Sequence, residues 1–170
     1  IHHCKATIAE LRLNIQPFVK SITAGATFSV TAHLEAKSVN GVWSIVQSSN
    51  NFANMQNVRL QLHQGGFARE FAYANATNGV ITWTGLQMTK ASYLNAAGEW
   101  YDTVTIEVEH DDAADDRDGV IIVNPADPFK LSIMSYPGGN VKAGQPWILT
   151  GDIRDTYGNL IRDNDEGGCD

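Results

Sequence analysis

Carboxylate side chains cluster at two places in this sequence and are its main candidates for chemistry. The stretch 107–118 contains seven carboxylates and one arginine, and Gly119 follows it. Oxygen-rich loops that end in glycine can wrap Ca²⁺ with about six to eight ligands. The candidate ligands are Asp111, Asp112, Asp115, Asp116 and Asp118 here, and Asp152, Asp155, Asp163, Asp165 and Glu166 nearer the C-terminus. Because the spacing is not that of an EF-hand, a calcium site and a solvated hairpin tip both stay open.

The two cysteines, Cys4 and Cys169, each lie within a few residues of one end of the sequence. They are either free thiols or partners in a disulfide, within the chain or between chains. In a linear tandem of sandwiches the two ends lie far apart, so a bridge between successive copies is the more natural geometry. His2 and His3 beside Cys4 could also bind zinc or copper, although an incidental terminal tract is the favoured interpretation.

Composition and motifs exclude several classes of protein. The sequence has no nucleophile elbow, phosphate loop or metalloprotease motif, so we do not expect an enzyme. The net charge of −7, without a basic patch, argues against nucleic acid as a partner. The sequence contains no run of 18 apolar residues, so it predicts no membrane-spanning helix. The low charged fraction of 18% favours a β-rich protein, extracellular or at the cell surface, and we interpret the chain as a processed mature segment.

Aromatic residues suggest a further ligand class. Trp83 and Trp147 lie in apolar alternation and are expected in the core. Trp100 and Tyr101 form the pair that we expect to be exposed, and a carbohydrate could stack on them.

Period-two alternation of apolar and polar residues predicts strands and no convincing helix. The predicted strands are 8–15, 28–34, 41–46, 58–62, 67–73, 80–86, 102–108 and 120–123, followed by 129–134 and 147–153. Turn signals separate them, and His63-Gln64-Gly65-Gly66 predicts a hairpin turn. This pattern is typical of an antiparallel β-sandwich with Greek-key connections.

The sequence also repeats itself at an offset of 119 residues. Residues 22–35 return as 141–154, with Phe28 matching Trp147, Val30 matching Leu149 and Leu34 matching Ile153. We therefore expect a complete β-sandwich over residues 1–124 and a truncated second module, its opening strands only, over 125–170. Prolines at 125 and 128 should make the linker semi-rigid.

Three segments resemble the bacterial immunoglobulin-like repeats of invasin-type adhesins. They are Lys142-Ala-Gly-Gln-Pro-Trp-Ile-Leu-Thr-Gly-Asp-Ile-Arg-Asp-Thr-Tyr-Gly-Asn-Leu160, Gly79-Val-Ile-Thr-Trp-Thr-Gly-Leu86 and the boundary Ile122 to Leu131. The resemblance implies that residues 1–124 form an immunoglobulin-like antiparallel β-sandwich and that residues 125–170 form part of a second immunoglobulin-like module. It also implies stalks, adhesion and assembly rather than catalysis. The first module departs from the family pattern at Ala36-Lys37-Ser38, where the repeats carry an Arg-Asp-x-Tyr-Gly-Asn turn.

A truncated second module would leave its apolar side chains in water. The candidate interface residues are Leu131, Ile133, Trp147, Leu149 and Ile153. The leading hypothesis is therefore a structural subunit of an extracellular filament or surface assembly, in which strands of a neighbouring copy complete the second module. Cys4 and Cys169 would lock successive copies, and Ca²⁺ would sit between acidic loops that face each other where copies meet and would offset their repulsion. The alternative is a stalk fragment of a tandem-repeat adhesin, and a carbohydrate-binding module ranks third.

Overall fold

A computed structural model describes residues 10–46, 51–135 and 138–162 of the chain. These residues form an all-β protein with one short 3₁₀ turn at Asn51–Asn54. The strands are β1 (Glu10–Ile15), β2 (Ser21–Thr23), β3 (Thr27–Lys37), β4 (Trp43–Ile45), β5 (Val58–Gln64), β6 (Phe67–Ala74), β7 (Val80–Gln87), β8 (Tyr93–Leu94), β9 (Trp100–Tyr101), β10 (Val104–His110), β11 (Ala113–Asn124), β12 (Pro128–Ser135) and β13 (Thr150–Asp155). Within this part of the chain, no helix is long and apolar enough to cross a membrane.

Strands β1 to β7, β10 and β11 make up the main body. On one side, β3 lies between β1 and β7 and also pairs with β4. On the other side, the order is β2-β11-β10-β5-β6. A parallel pair, Arg12 with Ala114, links the two sides along β1 and β11. The arrangement is consistent with the predicted sandwich, and the sheets are mixed rather than purely antiparallel.

Apolar alternation in the sequence explains where the core lies. Every second residue of β5 and β10 points inward, so Val58, Leu60 and Leu62 share the inner face of the sheet with Val104, Ile106 and Val108. The buried side chains from both sides meet in one cluster, which includes Leu13, Val30, Leu34, Leu60, Ile81, Trp83, Ile106 and Ile121. The prediction that Trp83 belongs to the core is confirmed.

The hairpin turn predicted at His63–Gly66 is also confirmed, with β5 and β6 on its two sides. Gly65 and Gly66 have φ angles of +62° and +79°. Two consecutive residues in the left-handed region match the twist of a two-residue hairpin, and glycine adopts that region without a steric penalty.

The prediction that the acidic segment is a loop is wrong. Strand β11 begins at Ala113, so Asp115, Asp116 and Asp118 lie in a strand, and the turn contains Asp111 and Asp112. Pairing with β10 continues to His110 opposite Ala113, and this backbone ladder decides the conformation in spite of the charge.

Other elements differ from the predictions at their boundaries. Strand β13 begins at Thr150, so Trp147 and Leu149 precede the strand that was expected to contain them. The sequence pattern also missed the short strands β2, β8 and β9, which have too few residues for alternation to be visible.

Candidate assembly interface

Strands β12 and β13 form a separate two-stranded antiparallel sheet that reproduces the β1–β3 pair. In the first pair Leu13 lies opposite Leu34 and Ile15 lies opposite Ala32. In the second, Leu131 lies opposite Ile153 and Ile133 lies opposite Gly151. The repeat seen in the sequence therefore reappears as the same strand register. The division of the chain into two modules at residue 124 stays a prediction.

The two strand pairs differ in whether their apolar face is covered. Leu13 and Leu34 are 2% and 0% exposed, because the second side of the sandwich packs against them. The equivalent side chains Leu131 and Ile153 are 69% and 47% exposed. Ile133, Trp147 and Leu149 are exposed as well, so the prediction that Trp147 is a core residue is wrong. All five of the residues expected at an interface thus face open space in this structure.

One edge of β12 also has no neighbouring strand within the described residues. The corresponding edge of β1 lies next to β11, and the Ile15 backbone N–H donates a hydrogen bond of 2.7 Å to Asp116 Oδ2. An added strand beside β12 would occupy the place that β11 takes in the first pair.

A buried carboxylate, Asp155, holds the β12–β13 sheet to the linker. Asp155 is 2% exposed. Its Oδ2 accepts a hydrogen bond from the Ala126 backbone N–H at 2.9 Å, and its Oδ1 accepts bonds from the backbone N–H groups of Tyr157 at 2.9 Å and Asn159 at 2.8 Å. One side chain therefore organises the turn after β13 and joins it to the segment before β12.

Asn159 extends this connection to the main body. Its Nδ2 donates to the Thr89 carbonyl at 2.7 Å, and its Oδ1 accepts from the Ala91 backbone N–H at 2.9 Å. The Tyr157 hydroxyl lies over Gly25, where an added Cβ would collide with it and where φ is +82°. We call Asp155, Tyr157 and Asn159 the junction residues. They belong to the segment that carried the family resemblance, but no sequence signal identified them as a contact between two sheets.

The pKa of Asp155 reflects this environment. Burial alone would raise it, but hydrogen bonds from the Asn159 side chain and from the backbone N–H groups of Ala126, Asn159 and Tyr157 outweigh burial and hold the pKa below its ordinary value. A carboxyl group with a lower pKa in the folded chain stabilises the fold fully above its unfolded pKa of about 3.9, and that contribution disappears as the pH falls through the folded pKa.

We therefore expect the junction to loosen at acid pH. Below about pH 4, the backbone amide resonances of Ala126, Tyr157 and Asn159 should shift in NMR spectra. The pKa of Glu35 in the main body is also lowered, with burial opposed by bonds from Asn14 and Arg12, so acid acts on that site too. Asp155→Asn isolates the junction, because the acid-induced shifts at these three amides should be absent in it. Identical acid titrations of both proteins would contradict the assignment.

Among the predicted ligands that the structure describes, no metal site is brought together. Among residues 10–46, 51–135 and 138–162, no group of three or more histidine, cysteine or acidic side chains could hold a metal ion. Asp116 accepts from Ile15 N, and Asp152 Oδ2 lies 3.0 Å from Arg154 Nη2. The predicted calcium ligands Asp163, Asp165 and Glu166 lie outside the described residues, as do His2, His3 and the cysteines Cys4 and Cys169.

The aromatic pair Trp100 and Tyr101 forms β9 and is exposed, as expected. Tyr101 stacks on Tyr93 of β8 with ring centroids 5.6 Å apart. Carbohydrate binding at this hairpin stays a prediction.

Comparison with known proteins does not assign this chain to a family. No protein-family model matches the chain, and no curated protein is significantly similar to it. The resemblance to bacterial immunoglobulin-like repeats therefore rests on the quoted segments alone.

Proposed function

We propose that this protein is a structural subunit of an extracellular filament or surface assembly, and that copies associate through the β12–β13 sheet. The observation that supports the proposal is the contrast between two strand pairs of the same register. The face of β1–β3 is covered by a second sheet, whereas the face of β12–β13 is exposed.

The free energy available at this face is large. Burial of a large apolar side chain contributes roughly 1.5–3 kcal/mol. Five such side chains would contribute on the order of 10 kcal/mol if a partner covered them fully. Exposed apolar side chains beside a strand edge that has no partner among the described residues are the combination that strand complementation uses.

The proposed partner is a second copy of the chain. A strand from the neighbour would pair with the free edge of β12 and cover Leu131 and Ile133. The junction residues suit this role, because their hydrogen bonds connect the β12–β13 sheet both to the linker at Ala126 and to the main body at Thr89 and Ala91. Successive copies would then meet at a defined angle rather than through a flexible tether.

Sedimentation velocity on the purified protein tests the proposal. We expect concentration-dependent polymers from the wild-type chain and monomers from the double variant Leu131→Lys, Ile133→Lys, because two buried ammonium groups would oppose association. Val39→Lys is the matched control, since Val39 is 84% exposed in a turn of the main body and should leave the polymers unchanged. A wild-type protein that stays monomeric at its highest soluble concentration would overturn the proposal.

Two details of the assembly stay predictions: calcium between copies, and a covalent bridge between Cys4 and Cys169. Repeating the sedimentation with EDTA tests the first, and repeating it with a reductant tests the second.

A second candidate function is a stalk module of a tandem-repeat adhesin. The observation that favours it is the junction itself, since a hydrogen-bonded contact between adjacent sheets would stiffen a linear array. The sedimentation experiment separates the two functions. Polymers favour the filament, and a monomer with an intact junction favours the stalk.

A further inference from the structure

The outer face of the sheet β10-β5-β6 carries an arrangement that assembly through β12–β13 does not use. Residues of β5 with odd numbers point away from the core, because Val58, Leu60 and Leu62 point into it. Arg59 lies opposite Tyr73 of β6, and Gln61 lies opposite Phe71. The Tyr73 and Phe71 rings therefore share this outer face, and they are 64% and 54% exposed.

The polar side chains beside the two rings hold one another in place through hydrogen bonds and ion pairs. Glu109 of β10 lies opposite Arg59 and accepts hydrogen bonds or ion-pair contacts from both Arg59 and Gln61. In the next row, His63 Nε2 lies 2.7 Å from Glu107 Oε2. Side chains that are already fixed lose little conformational entropy when a ligand binds them.

A groove of about 730 Å³ opens at the end of this face. Its lining includes Asn57, Arg59, Tyr73, Glu109, Asp111 and Asp115. The lining combines amide, guanidinium and carboxylate groups with the Tyr73 ring and the His110 imidazole, so it offers both hydrogen-bond donors and acceptors. Three carboxylates against one guanidinium make it net negative, which disfavours an anionic ligand.

We propose that this groove and the adjoining Tyr73–Phe71 face bind an oligosaccharide that carries no anionic groups. Sugar hydroxyls donate to the carboxylates and accept from Arg59 and the amides, while the apolar face of a pyranose ring stacks on an exposed aromatic ring. Tyr73 and Phe71 are two residues apart on one strand, about 7 Å along it. The two rings therefore offer two separate surfaces on which sugar units of one chain can stack.

The site differs from the Trp100–Tyr101 hairpin, whose residues do not line the groove. It also lies on a different sheet from the proposed assembly face, because β6 and β12 belong to different sheets.

Isothermal titration with four neutral hexasaccharides tests the proposal on the full chain: cellohexaose, xylohexaose, mannohexaose and N-acetylchitohexaose. At least one should bind, and Tyr73→Ala should weaken that binding tenfold or more, with Phe71→Ala weakening it to a similar degree. Tyr73→Phe keeps the ring and should retain most of the affinity, which separates lost stacking from misfolding. Oligogalacturonate, an anionic probe, should not bind.

Tyr101→Ala is the matched control, because Tyr101 is an exposed tyrosine on a different hairpin. It should leave binding unchanged. If Tyr101→Ala abolishes binding while Tyr73→Ala does not, the site is the hairpin and the proposal is wrong. Binding by none of the neutral probes also overturns it. The proposal is also wrong if Phe71→Ala loses self-association and no sugar binds, because β6 would then be an edge that pairs with a strand of another protein chain.

Discussion

Replacing Leu34 by alanine is expected to lower the free energy of unfolding by about 2–5 kcal/mol. The repeat-equivalent change, Ile153→Ala, should cost the unassembled chain about 1 kcal/mol or less. The two residues occupy the same register position in β3 and β13, but Leu34 is fully buried and Ile153 is half exposed. The difference between the two losses in unfolding free energy therefore measures how much the second sheet stabilises the β1–β3 pair by covering it. The β12–β13 pair has no such cover among the described residues. Urea denaturation under monomeric conditions provides both values.

The same pair of variants discriminates between the functional proposals. In an assembled sample, Ile153→Ala should weaken association, because the side chain would then be covered by a neighbouring copy. Equal costs for Leu34→Ala and Ile153→Ala in the monomer would mean that the chain itself already buries Ile153. That result would remove the physical basis for strand complementation.

Asp155→Ala is expected to release the β12–β13 sheet from the main body, with a loss of about 3 kcal/mol in the stability of the junction. The variant removes a charged acceptor of four hydrogen bonds, from the backbone of Ala126, Tyr157 and Asn159 and from the Asn159 side chain. Hydrogen bonds to charged groups contribute more than neutral ones, and buried donors left without an acceptor lose their hydration as well. Hydrogen exchange should become fast at these backbone amides while the amides of β5 and β10 stay protected.

Asp127→Asn is the matched control, since Asp127 lies in the same linker and is exposed. It should leave exchange unchanged throughout the chain. If Asp155→Ala exchanged like the wild type at Ala126 and Asn159, the junction would not depend on this carboxylate. If exchange rose equally in β5 and β10, Asp155 would support the whole fold rather than the junction.

Local patterns predicted most of the strands correctly. Val58 to Leu62 and Val104 to Val108 alternate so regularly that strand type and buried face follow from the sequence alone. The repeat at an offset of 119 residues likewise indicated that the Leu131 strand and the Ile153 strand would resemble the first pair, and their register agrees. The prediction that the acidic segment is a loop relied on charge and was wrong, because the segment from Ala113 onward pairs with β10 as a strand.

The candidate sites depended on contacts between distant residues. Asp116 accepts a hydrogen bond from a backbone group 101 positions away, and Asn159 bonds to a loop 68 and 70 positions away. Nothing in the local sequence of either residue distinguishes it from a solvated polar side chain. The Tyr73–Arg59–Glu109 row was equally hidden, because its members come from three strands that only the sheet brings side by side.

By itself, then, the sequence determined the all-β class, the inward faces of the main strands, the hairpin at Gly65–Gly66 and the existence of a repeated strand pair. These properties follow from periodicity and turn chemistry, which act over a few neighbouring residues. Tertiary structure alone decided which repeated face is covered, that Asp155 and Asn159 join two sheets, and which polar groups meet beside Tyr73. Those outcomes depend on the pairing of strands far apart in the chain, and side-chain burial is defined only after that pairing has formed.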